Sequence, residues 1–172
     1  GQEQKDLWFI SLTSINHKEH FRLGQLYQEL AECFERQIPE YDAFIERANS
    51  VFIFAAESYK TSFEISSKWS ISEVIDSKGE GGSISPESCE VLFNFSLLCL
   101  KGKAVNQGVA EAKIILRALI KRGYVEAYSY LGWQSYIDRD FKSALKYLNH
   151  NKTIQNVYTL HKLGILYSEG KA

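Results

Sequence analysis

Apolar residues recur three and four positions apart along most of this chain, the spacing of an α-helix with one buried face. Phe21, Leu23, Leu26, Tyr27, Leu30, Ala31 and Phe34 predict a helix over about 18–37. Pro39 interrupts it, and proline is tolerated at the start of a following helix. Tyr41, Phe44, Ile45, Ala48, Val51, Phe52, Ala55, Ala56 and Tyr59 then predict a second helix. The run Val51-Phe52-Ile53-Phe54-Ala55-Ala56 also suits a buried strand, but its flanks keep helical spacing, so helix is the expectation. Ser67 to Val74 reads either way. Asp76 to Glu87, DSKGEGGSISPE, has the composition of a flexible linker. Beyond it, Val109, Ala112, Ile115, Leu116 and Leu119 restore the helical period, with Gly102 and Gly123 as stops and Asp140 as the N-cap of a later helix.

A longer period lies over the short one. FSLLCLKG, YLGWQSYIDRD and LGILYSEG align so that Ser96, Gly132 and Gly164 share a register, and Ala112 and Ala144 align in the segments that follow the first two copies. Self-similarity at 32–36 residues is the mark of stacked helix hairpins. A glycine inside a helix costs about 1 kcal/mol relative to alanine. Gly132 opposite Ala144 gives that cost a reason, since two helices can cross closely there.

Leu100-Lys101-Gly102-Lys103-Ala104-Val105, Glu111-Ala112, Leu116, Ala118, Gly123 and Ala127 resemble the Sel-1-like repeat, a relative of the tetratricopeptide repeat. Ser96 stands where that family usually has glycine, and Cys99 where it has tyrosine. The second unit turns through Ile137-Asp138-Arg139-Asp140-Phe141, which is closer to a tetratricopeptide repeat. A third unit supplies a first helix only, Val157 to Ser168, either as a terminal cap or as part of a longer array. The resemblance covers roughly 86–172. It implies an all-α fold in which antiparallel hairpins stack into a short right-handed superhelix, with a helical N-terminal extension that includes the echo Leu23-Gly24-Gln25-Leu26-Tyr27. The expected organisation is a helical region over 1–75, a linker over 76–87 and repeats over 88–172.

Composition narrows the function classes. Twenty basic and 21 acidic residues leave a net charge of −1, without the basic excess of a nucleic-acid binder. No apolar run reaches the ~20 residues of a membrane span. Cys33, Cys89 and Cys99 are an odd set without a C-x-x-C pair, expected as reduced and mostly buried thiols, with a Cys89–Cys99 bridge open in an oxidising compartment. Gly1 and the absence of methionine suggest a processed or engineered chain. The compartment stays open, with the cytoplasm slightly favoured and a periplasmic or secreted location open to a chain that has lost a leader.

Catalytic patterns are sparse. Gly79-Glu80-Gly81-Gly82 lacks the Lys-Ser/Thr of a phosphate loop. His17, Glu19 and His20 are the nearest approach to a metal set and lack further ligands in sequence. His150 is isolated, and the serine-rich stretch around Trp69 has no nucleophile partners. The expectation is a non-enzymatic protein with no cofactor and no metal.

The resemblance implies that first helices line a concave groove, with Phe93, Leu97, Leu100, Ser129, Trp133, Tyr136, His161 and Ile165 facing it and Glu126 and Tyr158 beside them. The implied role is an adaptor or scaffold binding a protein or peptide partner, often in bacterial systems. Trp133 and Tyr136 are the expected anchors, unless the N-terminal helices cover them. A narrower form of this role is a neutraliser of a bacterial toxin. The rival is a small catalytic or ligand-binding region within 1–75, with the repeats as an appendage. Leu160, Leu163, Ile165 and Leu166 are much apolar surface for one terminal helix, so self-association or further repeats are expected at that edge.

Overall fold

The structure, a computed structural model, describes residues 16–37, 42–80, 82–150 and 157–171. The segment before Asn16, Pro39, Tyr41, Gly81 and Ala172, all invoked in the sequence reading, lie outside the described residues. The described residues are all-α and contain no strand. In chain order the helices are α1 (His17–Arg36), α2 (Asp42–Ser67), α3 (Ile71–Asp76), α4 (Pro86–Leu100), α5 (Val109–Lys121), α6 (Glu126–Ile137), α7 (Phe141–Leu148) and α8 (Val157–Ser168).

Local chemistry fixes the ends. Asn16 and Glu19 exchange side chain-to-backbone hydrogen bonds at 3.0 Å each, a capping box that starts α1. Ser70 and Glu73 do the same for α3. The ambiguous stretch after Ser66 thus resolves into the end of α2, a cap and one short helix. Ser85 caps α4, where Pro86 takes the first turn. Asp140 accepts from the Ser143 amide at 3.1 Å and starts α7. The run 51–56 is helical and lies inside α2.

The helices pack in sequence order: α1 on α2, α2 on α4, α4 on α5, α5 on α6, α6 on α7 and α7 on α8. One hydrophobic cluster runs from Ala31 and Phe52 through Phe63, Leu92 and Leu98 to Leu116, Leu119 and Leu131. A second, smaller cluster joins Ala144, Leu148, Leu163 and Leu166. Burying a large apolar side chain contributes about 1.5–3 kcal/mol, so the first cluster holds most of the stabilisation.

Residues 76–87, a linker by composition, divide differently in space. Asp76 closes α3, while Pro86 and Glu87 open α4. Between them Arg122 donates to the Gly79 carbonyl at 3.1 Å and to the Gly82 carbonyl at 3.3 Å, and Lys121 pairs with Glu80. Ile84 is buried in the main cluster. Gly79 adopts φ +73°, and a Cβ there would meet the Ala118 side chain at 2.4 Å, so the backbone lies directly on α5.

Candidate partner groove

The residues expected to line a groove come from α4, α6 and α8. On α4, Phe93 is buried, while Leu97 and Leu100 are half-buried. The Phe93 ring meets Tyr124 at 5.0 Å and the edge of Tyr130 at 5.4 Å. Tyr130 stacks on Tyr158 of α8 at 5.4 Å. Trp133 stacks on Tyr136 at 4.5 Å with 13° between planes, and Tyr136 meets Phe141 at 5.7 Å. These rings form a row of two runs, Tyr124–Phe93–Tyr130–Tyr158 and Trp133–Tyr136–Phe141. Aromatic pairs at 4.5–7 Å hold one another by about 0.5–1.5 kcal/mol beyond area burial.

Cations overlie the row. Lys162 Nζ sits 3.7 Å from the Trp133 ring centre and 5.1 Å from that of Tyr158. Lys171 lies over Tyr136 and Phe141 at 5.3 and 4.9 Å, and also pairs with Glu169 at 3.1 Å. The Tyr136 hydroxyl donates to Glu169. That bond pushes the Tyr136 phenol above its usual range and, with Lys171, holds the Glu169 carboxyl below its own. Burial raises the Tyr158 phenol. Both phenols are therefore neutral at pH 7, suited to donating hydrogen bonds rather than taking protons.

Between α4 and α6 lies a depression of about 370 Å³, lined by Leu97, Leu100, Lys101, Tyr130, Trp133, Gln134 and Ile137. It brings together three of the residues expected from the sequence: Leu97, Leu100 and Trp133. The others do not line it. Ser129 is buried, and its hydroxyl shares a hydrogen bond with that of Thr159, joining α6 to α8. Tyr136 and Tyr158 belong to the aromatic row, and Ile165 is half-buried. Glu126 and His161 are exposed. Sequence reasoning missed Tyr130, Lys101, Lys162 and Lys171. Lys162 had a signal, four residues after Tyr158 on the same helix face. Lys171 follows α8 and had none.

The N-terminal histidines sit otherwise. The Glu19 carboxylate is engaged in the α1 capping box. Burial lowers the His20 pKa. His17 Nε2 lies 3.8 Å from a Glu87 carboxylate oxygen. Among the described residues no three His, Cys, Asp or Glu side chains gather as a metal set. The cysteines are free, and burial pushes the Cys99 thiol to about 12 and raises that of Cys89, which keeps both protonated. A wider depression of about 520 Å³ runs along α1 and α2, lined by Leu30, Phe34, Ala43, Glu46, Arg47, Ser50 and Val51. It is a valley between two helices and lacks the clustered aromatics of the first. Among the described residues no helix is long and apolar enough to cross a membrane.

No family model matches this chain, and neither a curated protein nor a solved structure matches it.

Proposed function

We propose that this protein is a non-enzymatic interaction module that takes a peptide or protein segment on the side formed by α4, α6 and α8. The hairpins α4–α5 and α6–α7, with α8 after them, are read as Sel-1-like repeats stacked into a short superhelix, which makes that side concave. The observation that carries the reading is the apolar slot between Leu97, Leu100 and Trp133, set beside a row of partly exposed aromatic rings. Such a slot suits one bulky apolar side chain, and Trp and Tyr around it are the residue types that dominate binding energy at interfaces. Lys101 at the rim and Lys162 over Trp133 put positive charge next to the slot. The segment that fits best therefore carries a carboxylate beside its apolar anchor. An adaptor or scaffold role follows, and a neutraliser of a toxin would use the same surface.

The test is a selection of peptides from a random display library on the folded chain, followed by titration of the winners. Trp133→Glu, checked for unchanged circular dichroism, should weaken binding at least tenfold. Equal binding to wild type, Trp133→Glu and Leu100→Glu would move the site off this face. The valley on α1 and α2 supports a second reading, an apolar ligand held by the N-terminal hairpin. Winners that compete at Val51 and Phe34 instead of Trp133 would favour it.

A further inference from the structure

Cations recur along α5 at a helical spacing. Lys113, Arg117 and Lys121 follow one another at four-residue steps, which lines them up on one stripe. Like charges at that spacing destabilise a helix unless an opposite charge meets them. The two outer ones are met. Lys113 pairs with Asp138 at 2.6 Å, and Lys121 pairs with Glu80. Arg117 between them is exposed, and its side chain has neither an ion pair nor a hydrogen bond among the described residues.

A second unpaired cation faces the same place. Lys78 follows α3, and with Glu80, Ile114, Arg117 and Lys121 it lines a depression of about 470 Å³. Small-molecule clefts span roughly 300–1,000 Å³. The backbone that carries Lys78 is fixed. It takes φ +52°, in a turn closed by the Lys78 amide on the Ile75 carbonyl and the Gly79 amide on the Val74 carbonyl, both at 2.9 Å. Arg122 then fastens the Gly79 carbonyl to α5. Backbone held in this way lowers the ordering cost of binding.

Charge and surface define the ligand. Lys121 holds the Glu80 carboxyl below its usual range, so Glu80 is charged at pH 7. Three cations against one carboxylate leave two positive charges uncompensated. A phosphate monoester carries about −1.5 to −2 at pH 7 and three acceptor oxygens. A carboxylate carries a single charge and is satisfied by the Arg117 fork alone, which leaves Lys78 unpaired. Half-buried Ile114 gives the depression an apolar wall.

We infer that this depression is a binding site for a phosphate monoester whose ester group is apolar or aromatic. Arg117 donates to two phosphate oxygens, Lys78 meets the third, and the organic group lies against Ile114. The site shares no lining residue with the slot at Trp133 and stands independently of it.

The test titrates phenyl phosphate into the whole chain in a phosphate-free buffer near neutral pH and follows backbone amide shifts by nuclear magnetic resonance. Saturable shifts are expected at Lys78, Glu80 and Arg117. Arg117→Gln and Lys78→Gln should each weaken binding about tenfold. Glu80→Gln should tighten it, by removing the one repelling charge. Arg117 and Lys78 are both exposed, so unchanged circular dichroism is expected of their variants. Inorganic phosphate and benzoate should bind more weakly than phenyl phosphate, the first for want of the apolar group and the second for want of charge. Lys101→Gln, at the rim of the other slot, should leave the titration as it is. A phosphotyrosine peptide that binds more tightly than phenyl phosphate assigns the site to a phosphorylated protein, and one that does not assigns it to a small molecule; the site stands in both cases. No saturable binding, equal binding to wild type and Arg117→Gln, or equal binding of benzoate and phenyl phosphate overturns the inference.

Discussion

Gly132 of α6 and Gly164 of α8 each follow a leucine in mid-helix, yet one is walled in by Leu148 and the other faces open space. The difference teaches that a residue's identity reports the packing it is made for, while its energetic weight depends on the packing it has. The α6 face is a closed interface. The α8 face around Gly164 is open among the described residues.

The largest expected effect that sharpens this contrast is at the leucines. Leu148 is fully buried, so Leu148→Ala should cost about 2–5 kcal/mol. Leu160→Ala, on the exposed stripe, should stay within about 0.5 kcal/mol. Urea unfolding of both variants measures the gap, and near-equal losses would mean that α8 is covered in solution. The glycines come next and should have opposite signs. Gly132→Ala forces a methyl against Leu148 and should destabilise by about 1–3 kcal/mol. Gly164→Ala gains helix propensity with no clash and should stabilise by up to about 1 kcal/mol. A loss at both positions would break the comparison.

The smallest effect lies at the turn between α6 and α7. Ser143 bonds hold the Asp140 carboxyl below its usual 3.8, and Lys113 does the same for Asp138. Each contributes stability above the unfolded pKa, and that contribution is lost as pH falls through the lower folded value. Asp140→Ala should therefore lower the melting temperature at pH 7 by more than it does near pH 2. Equal shifts at both pH values would show that Asp140 acts through something other than its charge.

Much of the helical layout was legible in local pattern. The periodicity of Phe21 to Phe34 marks α1, and Asp140 marks the start of α7 because short polar side chains satisfy free amides. Leu97, Leu100 and Trp133 line the slot, three of the ten positions expected in a groove. What stayed hidden depended on distant chain. The glycines and serines of 76–87 look free in isolation, since composition holds no trace of Arg122 reaching back some 40 residues to their carbonyls. Ser129 was expected in the groove. Its hydroxyl instead meets Thr159, a partner that the period of neither helix announces. Tyr130 and Lys162 join the aromatic row only once α6 and α8 lie side by side.

The hold of Arg122 on Gly79 and Gly82 also has a mechanical side. A hinge needs backbone that can turn, and here two carbonyls are clamped and Ile84 is sunk in the core between them and α4. Load applied to the α1–α2 end is then passed to α5 instead of being absorbed between the two halves. Part of the stiffness of the chain resides in the stretch whose composition looks softest.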